Sequence, residues 1–345
     1  MSIIEWERDR IVLRLFGVKW DWAIEPRYWR PHIIGIGILV LTPIILYFVY
    51  PALLATFIEG SLLPCIVLPV ILMLIGTGRF NFGPQFFVGV GGFTAGLLSI
   101  HFGLGPGITL IAAAAAGLVT GLIFSPLTLL AGGIYFALLT LLLPLIFLEV
   151  TFVFEIFKGD TGLSGIPFLF NFPNFTLNQL LYAFAALALM LIYLAITDRL
   201  LRSRYALQMA AINDDEEVAN GLGVNISRIK ILSFIGPAVM ISIVGWFYAH
   251  YFGAFSGITY LPMTFMMKVF MALVIGGRGA WAIVLGGYVV TLIEVLLIRF
   301  AGDWSPILFP IIMLTLLLIF REEGLFGLYR KRHYRDYKPH FKITK

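Results

Sequence analysis

The chain has 345 residues, of which 60% are hydrophobic, 15% aromatic and only 12% charged, with a mean hydropathy of +0.96. A soluble domain carries about 25% charged residues, and one globule of this size cannot bury so much apolar surface. A soluble enzyme is therefore excluded and a polytopic membrane protein is implied. The net charge of +5 does not indicate nucleic acid, because the basic residues flank apolar runs. The single cysteine, Cys65, excludes an intrachain disulfide or a C-x-x-C site.

Residues 1–32 open with charges and lack a compact apolar core followed by a small-residue cleavage site, so no cleavable leader is expected. The mixture of Ile, Leu, Phe and Trp with Arg and Lys reads as a cytoplasmic segment, either lying on the membrane surface or forming an irregular solvated leader. Ten apolar runs follow, at about 33–50, 60–77, 82–101, 107–124, 127–153, 178–197, 231–252, 263–277, 281–300 and 305–320. Each approaches the 17–25 residues that cross a hydrocarbon core. The run at 127–153 is long for one crossing and must tilt, bend at Pro144 or protrude. The fold class expected is all-α, a ten-helix polytopic bundle spanning 33–320, followed by a basic tail at 321–345.

With the N-terminus inside, 21 of the 24 basic residues fall on the cytoplasmic side, leaving Lys158, Lys268 and Arg299. The positive-inside rule therefore places both termini and the 198–230 loop in the cytoplasm. The longest outer segment, about 154–177, is rich in Gly, Pro and Asn and reads as a turn-rich cap.

Small residues recur at helical spacing (Gly92/Gly96, Ala112/Ala116, Gly117/Gly121), as in tightly packed membrane bundles. Charges within the apolar runs are few: Glu149, Lys268 and Glu294. Lys268 either reaches the outer interface or contacts a pathway. Glu149 and Glu294 lie nearer span ends, as anchors. Two segments, "LIGTGRFNFGPQFFVGVGGFT" (74–94) and "VIGGRGAWAIVLGGYVVT" (274–291), share an apolar run, glycines, one Arg and a later Gly-Gly-aromatic. Broken apolar segments in corresponding halves mark substrate paths in transporters. The pathway candidates are Asn81, Phe82, Gly83, Tyr135, Thr140, Lys268, Gly276 and Gly277.

No G-x-x-x-x-G-K-[ST], H-E-x-x-H or G-x-S-x-G occurs, so no ATP-binding loop, metal site or hydrolase elbow is expected, and no cofactor. One charged island interrupts the second half, "RYALQMAAINDDEEVANGLGVNISRIK" (204–230). Its acids suit the first turn of a short helix, Gly221 and Gly223 suit its end, and Asn225 and Ser227 suit a cap for the next span.

Six blocks in order between about 59 and 328 resemble the permease subunits of branched-chain amino-acid ABC importers of the LivM type. They are "GRFNFGPQFFVGVGGFTAGLL", "GIYFALLTL", "GDTGLSGIP", "AAINDDEEVANGLGVNISRIKILSF", "LVIGGRGAWAIVLGG" and "LIFREEGLFG". The chain departs from the family at Arg79, where Gln is usual, at Pro84, where His is frequent, at Lys268, near which many members carry an acid, and at Glu322, where Pro is familiar. The resemblance implies a permease subunit of an ATP-driven importer for branched-chain amino acids or a related small polar solute, in the plasma (inner) membrane. It implies as partners ABC ATPase subunits, a second permease (homologous, or a second copy of this chain) and an extracytoplasmic substrate-binding protein. Asp214, Asp215, Glu216, Glu217, Ala219, Gly221 and Gly223 would form the helix that couples to the ATPase. The alternative is a self-contained channel or secondary transporter, in which that loop is regulatory.

Overall fold

The computed structural model describes residues 4–7, 10–15, 18–23, 26–277 and 279–320. The basic tail 321–345 and Arg278 therefore lie outside the described residues. The chain divides into two compact units, residues 1–54 and 55–345.

The first unit adds strands that the sequence reading does not anticipate. It holds a three-stranded antiparallel sheet, β1 (Ile4–Glu7), β2 (Arg10–Leu15) and β3 (Val18–Ala23), followed by helix α1 (Pro26–Val49). The reason is a period of two. The register pairs Ile4 with Leu13, Trp6 with Ile11, Ile11 with Trp22 and Leu13 with Trp20, so these residues share one face of the sheet. A helical reading spreads the same residues around the axis.

The second unit is helical, and its main helices match the expected spans closely. They are α2 (Leu53–Thr77), α3 (Pro84–Phe102), α4 (Pro106–Phe124), α5 (Leu127–Leu130), α6 (Gly133–Val153), α7 (Phe175–Leu201), α8 (Arg204–Asp214), α9 (Glu216–Gly221), α10 (Ile226–Phe252), α11 (Gly257–Tyr260), α12 (Met263–Gly276), α13 (Ala280–Ala301) and α14 (Ser305–Phe320). Among the described residues eight segments are long and apolar enough to cross a membrane, and Ile33–Val49 is a shorter apolar helix. The long run at 127–153 is not one helix. It breaks at Ala131–Gly132, because Gly133 takes φ +36°, and its first turn becomes α5.

Glycine decides how closely the helices approach. A Cβ on Gly91 would come 1.8 Å from the Ser242 carbonyl oxygen, and one on Gly245 would come 2.0 Å from that of Val88. The backbones of α3 and α10 therefore touch, which dispersion packing between membrane helices exploits. Of the expected small-residue pairs, Gly117 and Gly121 lie against Ser242, Ala238 and Ile235 of α10. Gly92 and Gly96 instead receive Phe255, Leu163 and Ile166.

Those last contacts anchor the 154–174 segment. Its strand β4 (Leu163–Ser164) pairs with β5 (Ala254–Phe255), and the Ile166 N–H donates to the Gly253 carbonyl at 3.0 Å. His250 is fully buried between Thr109 Oγ1 (2.8 Å) and the Pro167 carbonyl (2.7 Å), so it holds this cap in place.

Candidate coupling surface and transport pathway

The charged island folds as two short helices. Ser203 caps α8, its hydroxyl accepting from the Tyr205 N–H at 3.2 Å. Asp215 stands between the helices in an extended conformation, and its carboxylate caps α9 by accepting from the Glu217 (2.9 Å) and Val218 (3.0 Å) N–H groups. Gly221 is the last residue of α9, and Gly223 turns the chain at φ +85°. Asn225 caps α10 through the Arg228 N–H, while Ser227 falls inside that helix.

A small apolar core of Met209, Ile212, Ala219 and Ile229, flanked by Ile75 and Val224, closes the underside of the pair. Polar ties fix it to the ends of the long helices. The Asn213 amide donates to the Ile75 carbonyl at 2.8 Å, and Tyr205 OH reaches the Ile229 carbonyl at 3.0 Å and Ser233 Oγ at 2.9 Å. Burial pushes the Tyr205 phenol above its ordinary range, and the Ser233 bond partly offsets this.

The four acids play different parts. Glu216 pairs with Lys230, whose side chain is only 2% exposed, and lies 3.6 Å from the Arg79 guanidinium. Arg79 in turn donates to the carbonyls of Thr128 (2.7 Å) and Ala131, the open end of α5. Asp215 is a cap. Asp214 and Glu217 remain exposed, beside Val218 (59% exposed) and Leu222 (77% exposed) one helical turn apart. The Arg79–Glu216–Lys230 network and the Val218–Leu222 apolar pair were missed in the sequence. The i,i+4 spacing of 218 and 222 was a signal for the second; the first joins residues more than 130 positions apart.

The expected pathway residues fall into three places. Asn81, Phe82, Gly83 and Thr140 come together where α2 breaks before α3. Asn81 is buried, with its amide donating to Met73 Sδ (3.1 Å) and its oxygen accepting from the Gly83 N–H (2.8 Å). Thr140 Oγ1 accepts from the Phe82 N–H at 3.0 Å, and a Cβ on Gly83 would lie 2.2 Å from the Thr140 carbonyl oxygen. Three of these four thus build the break, and the Phe82 ring stacks on Phe270 of α12 (4.7 Å, 22°), with Phe80 beside both. Tyr135 is 68% exposed, and no contact draws it to this cluster among the described residues.

Gly276 and Gly277 shape the α12–α13 hairpin. A Cβ on Gly276 would lie 2.6 Å from Ile283 Cα, and Gly277 takes φ +67°, ψ −145°, a region essentially restricted to glycine. The α2–α3 break has the same plan, with Gly78 at φ +68° and a later Gly-Gly pair at a helix crossing.

Lys268 forms an ion pair with Glu294, so two of the three charges within the apolar runs are partners of one another. The geometry follows from the hairpin. Lys268 lies about 12 Å and Glu294 about 21 Å from the turn at 1.5 Å per residue, and side chains lean toward their helix N-terminus. Lys268 therefore extends away from the turn and Glu294 toward it, which closes the gap. Glu59 is a further charge within a span, because α2 begins at Leu53 whereas the expected span began at residue 60.

A bundle of long apolar helices with glycine-broken hairpins and a tethered, exposed helix pair at one end is the architecture of a multi-pass membrane transport component. The chain matches the family model "Branched-chain amino acid transport system / permease component" over residues 52–320, and it belongs to that family. Relatives include the high-affinity branched-chain amino acid transport system permease protein LivM of Salmonella typhimurium and that of Escherichia coli. Each is 27% identical over 287 residues, covering 74% of this chain and 65% of the relative, so the chain spans about two-thirds of their length. No solved structure matches the chain significantly. The protein is a multi-pass protein of the plasma (inner) membrane.

Proposed function

We propose that this chain is the permease subunit of an ATP-driven importer for branched-chain amino acids or a related small polar solute. It works with ATPase subunits, with a second permease (a homologue or another copy of itself) and with an extracytoplasmic binding protein. The observation that carries this reading is the α8–α9 pair, in a chain whose sequence has no nucleotide-binding loop of its own. The pair is held firmly to α2 and α10, yet it presents Asp214, Glu217, Val218 and Leu222 outward. A surface that is apolar at its centre and acidic at its edge suits a basic-rimmed cleft on a partner. With ten crossings and both termini in the cytoplasm, this surface would lie on the side where ATP is available.

Through the tethers, movement of α9 by the ATPases would pass to the α2–α3 break and to α10. The two access states then differ in how the spans pack, and the ATPase cycle biases one against the other. Phe82, with Phe270 stacked on it, would meet solute, and Tyr135 and Lys268 would do so at separate places.

The test is co-expression with the ATPases and uptake of L-leucine. Glu217→Arg with Leu222→Glu should lose ATPase co-purification and lower uptake by at least about tenfold, corresponding to one or more hot-spot contacts, while the permease still folds. Full docking and uptake in the double variant would overturn the coupling role. Uptake that needs no ATPase would favour a self-contained channel.

A further inference from the structure

The carboxylate of Glu216 serves two cations, and the two contacts differ in kind. Toward α10 it pairs with Lys230, whose side chain is only 2% exposed. Removing the partner of a buried charge is strongly destabilising, so this pair does not open easily. Ala219 of α9 also shares a small apolar core with Ile229 of α10, and the two helices therefore act as one body. Toward the α2–α3 break, Glu216 faces Arg79 at 3.6 Å from a side chain that is 45% exposed. That distance exceeds a hydrogen bond, and a solvated ion pair of this kind is weak.

Arg79 belongs to a second body. The α8 tether to Ile75 lies before Gly78, whose φ of +68° turns the chain out of α2, and Arg79 lies after it. The Arg79 guanidinium holds the Thr128 and Ala131 carbonyls at the end of α5. Further along the same break, the Phe82 N–H is held by Thr140 of α6. A cavity of about 570 Å³ has Leu129 of α5 on one wall and Glu216, Asn220, Ser227 and Lys230 on the other. Close packing between α5 and the α9–α10 body is thus interrupted, and the two have room to move against each other.

We infer that Glu216 is the positioning residue that couples α9 to the transport pathway. Its pairing with Lys230 persists through the cycle. Its contact with Arg79 is a latch that holds the access state of this structure and opens when the ATPases move α9. An element with two arrangements that both sites bias is what such coupling requires. The inference rests on the transport reading and deepens it, by naming the contact through which the docked helix controls the break that carries Phe82.

The experiment places spin labels at Leu129→Cys and Asn220→Cys, on opposite walls of the cavity, in the full chain in lipid nanodiscs. Cys65 is fully buried and stays unlabelled. The readout is the distribution of label-to-label distances. Arg79→Lys keeps the charge without the planar fork, and Arg79→Met keeps neither. Both should unfold at a lower temperature than wild type, because both weaken the hold on α5. Only Arg79→Met should shift the distances, raising a second, longer population by about fivefold or more, as expected of a typical coupling contact. Glu216→Gln strands a buried lysine and should be the least stable variant. Lys230→Met/Glu216→Gln removes both charges and should regain stability, with the longer distance still populated. In the complex with the ATPases, Arg79→Met should still co-purify. It should import about fivefold less L-leucine per ATP hydrolysed, or lower.

Identical distances in wild type and Arg79→Met would overturn the latch. So would an equal shift in Arg79→Lys, which would assign the effect to the α5 carbonyls rather than to the charge. Wild-type distances in Lys230→Met/Glu216→Gln would overturn it as well, and that variant carries the test alone if Arg79→Met does not fold. A wild-type chain that recruits no ATPase, or a complex that imports no L-leucine, would refute the transport reading alone, because the distances are measured on the permease without partners.

Discussion

Arg79 occupies a position where the family resemblance leads to glutamine, and its longer, forked side chain reaches two elements at once. It closes the carbonyl end of α5 at Thr128 and Ala131 and faces Glu216 of α9. Arg79→Gln should leave those carbonyls open and lower the stability of the chain by about 1–3 kcal/mol, the range for losing charged hydrogen bonds in a mostly buried setting. Thermal unfolding in detergent measures it, and an unchanged midpoint would contradict the role. Lys268 calls for a cycle rather than a single change. Lys268→Met leaves Glu294 without its cation, so it should destabilise more than the double variant Lys268→Met/Glu294→Gln, in which that acid is neutralised as well. If Lys268 also meets solute, uptake stays low in the double variant although stability returns. Recovery of uptake together with stability would reduce the lysine to a structural partner.

Among the elements, those governed by local rules were legible in advance. The long helices followed from apolar run length, and the end of α9 from Gly221 and Gly223; of the four acids expected in its first turn only Glu216 and Glu217 lie there, with Asp215 as the cap and Asp214 ending α8. Elements governed by distant contacts were not. The split of 127–153 into α5 and α6 depends on Gly133 and on a guanidinium that arrives from residue 79. The pairing of Lys268 with Glu294 depends on how the α12–α13 hairpin closes, and the strands at the N-terminus required a period of two to be recognised amid mixed charges. The candidate site divides in the same way. Asn81, Gly83 and Thr140 do meet at a broken segment, but their polar atoms are committed to one another, to Met73 and to neighbouring backbone. The hairpin offers its own check. Gly277→Ala puts a Cβ on a residue at φ +67°, ψ −145° and should cost about 1–3 kcal/mol. A variant as stable as wild type would mean that the turn relaxes without strain.

At the scale of the whole molecule the open quantity is how many times the chain crosses the bilayer, and parity makes it measurable. Eight described segments are long and apolar enough to cross. Helices α1 and α14 would raise the number to ten, one at each end of the chain. Between the N-terminus and the α9 region the number of crossings is even if α1 spans and odd if it does not. The same holds between α9 and the C-terminus for α14. Cys65 is fully buried and gives a low labelling background, so single cysteines can be introduced directly. Glu217→Cys and Asp160→Cys sit at exposed positions and should react with a membrane-impermeant maleimide from opposite sides of the membrane, Glu217→Cys from the cytoplasm. Ser2→Cys and Thr344→Cys should label from the same side as Glu217→Cys. Either terminus labelling with Asp160→Cys would show that its neighbouring helix lies on or beside the bilayer instead of crossing it. The permease core would then have nine or eight crossings, and that terminus would face the binding protein rather than the ATPase.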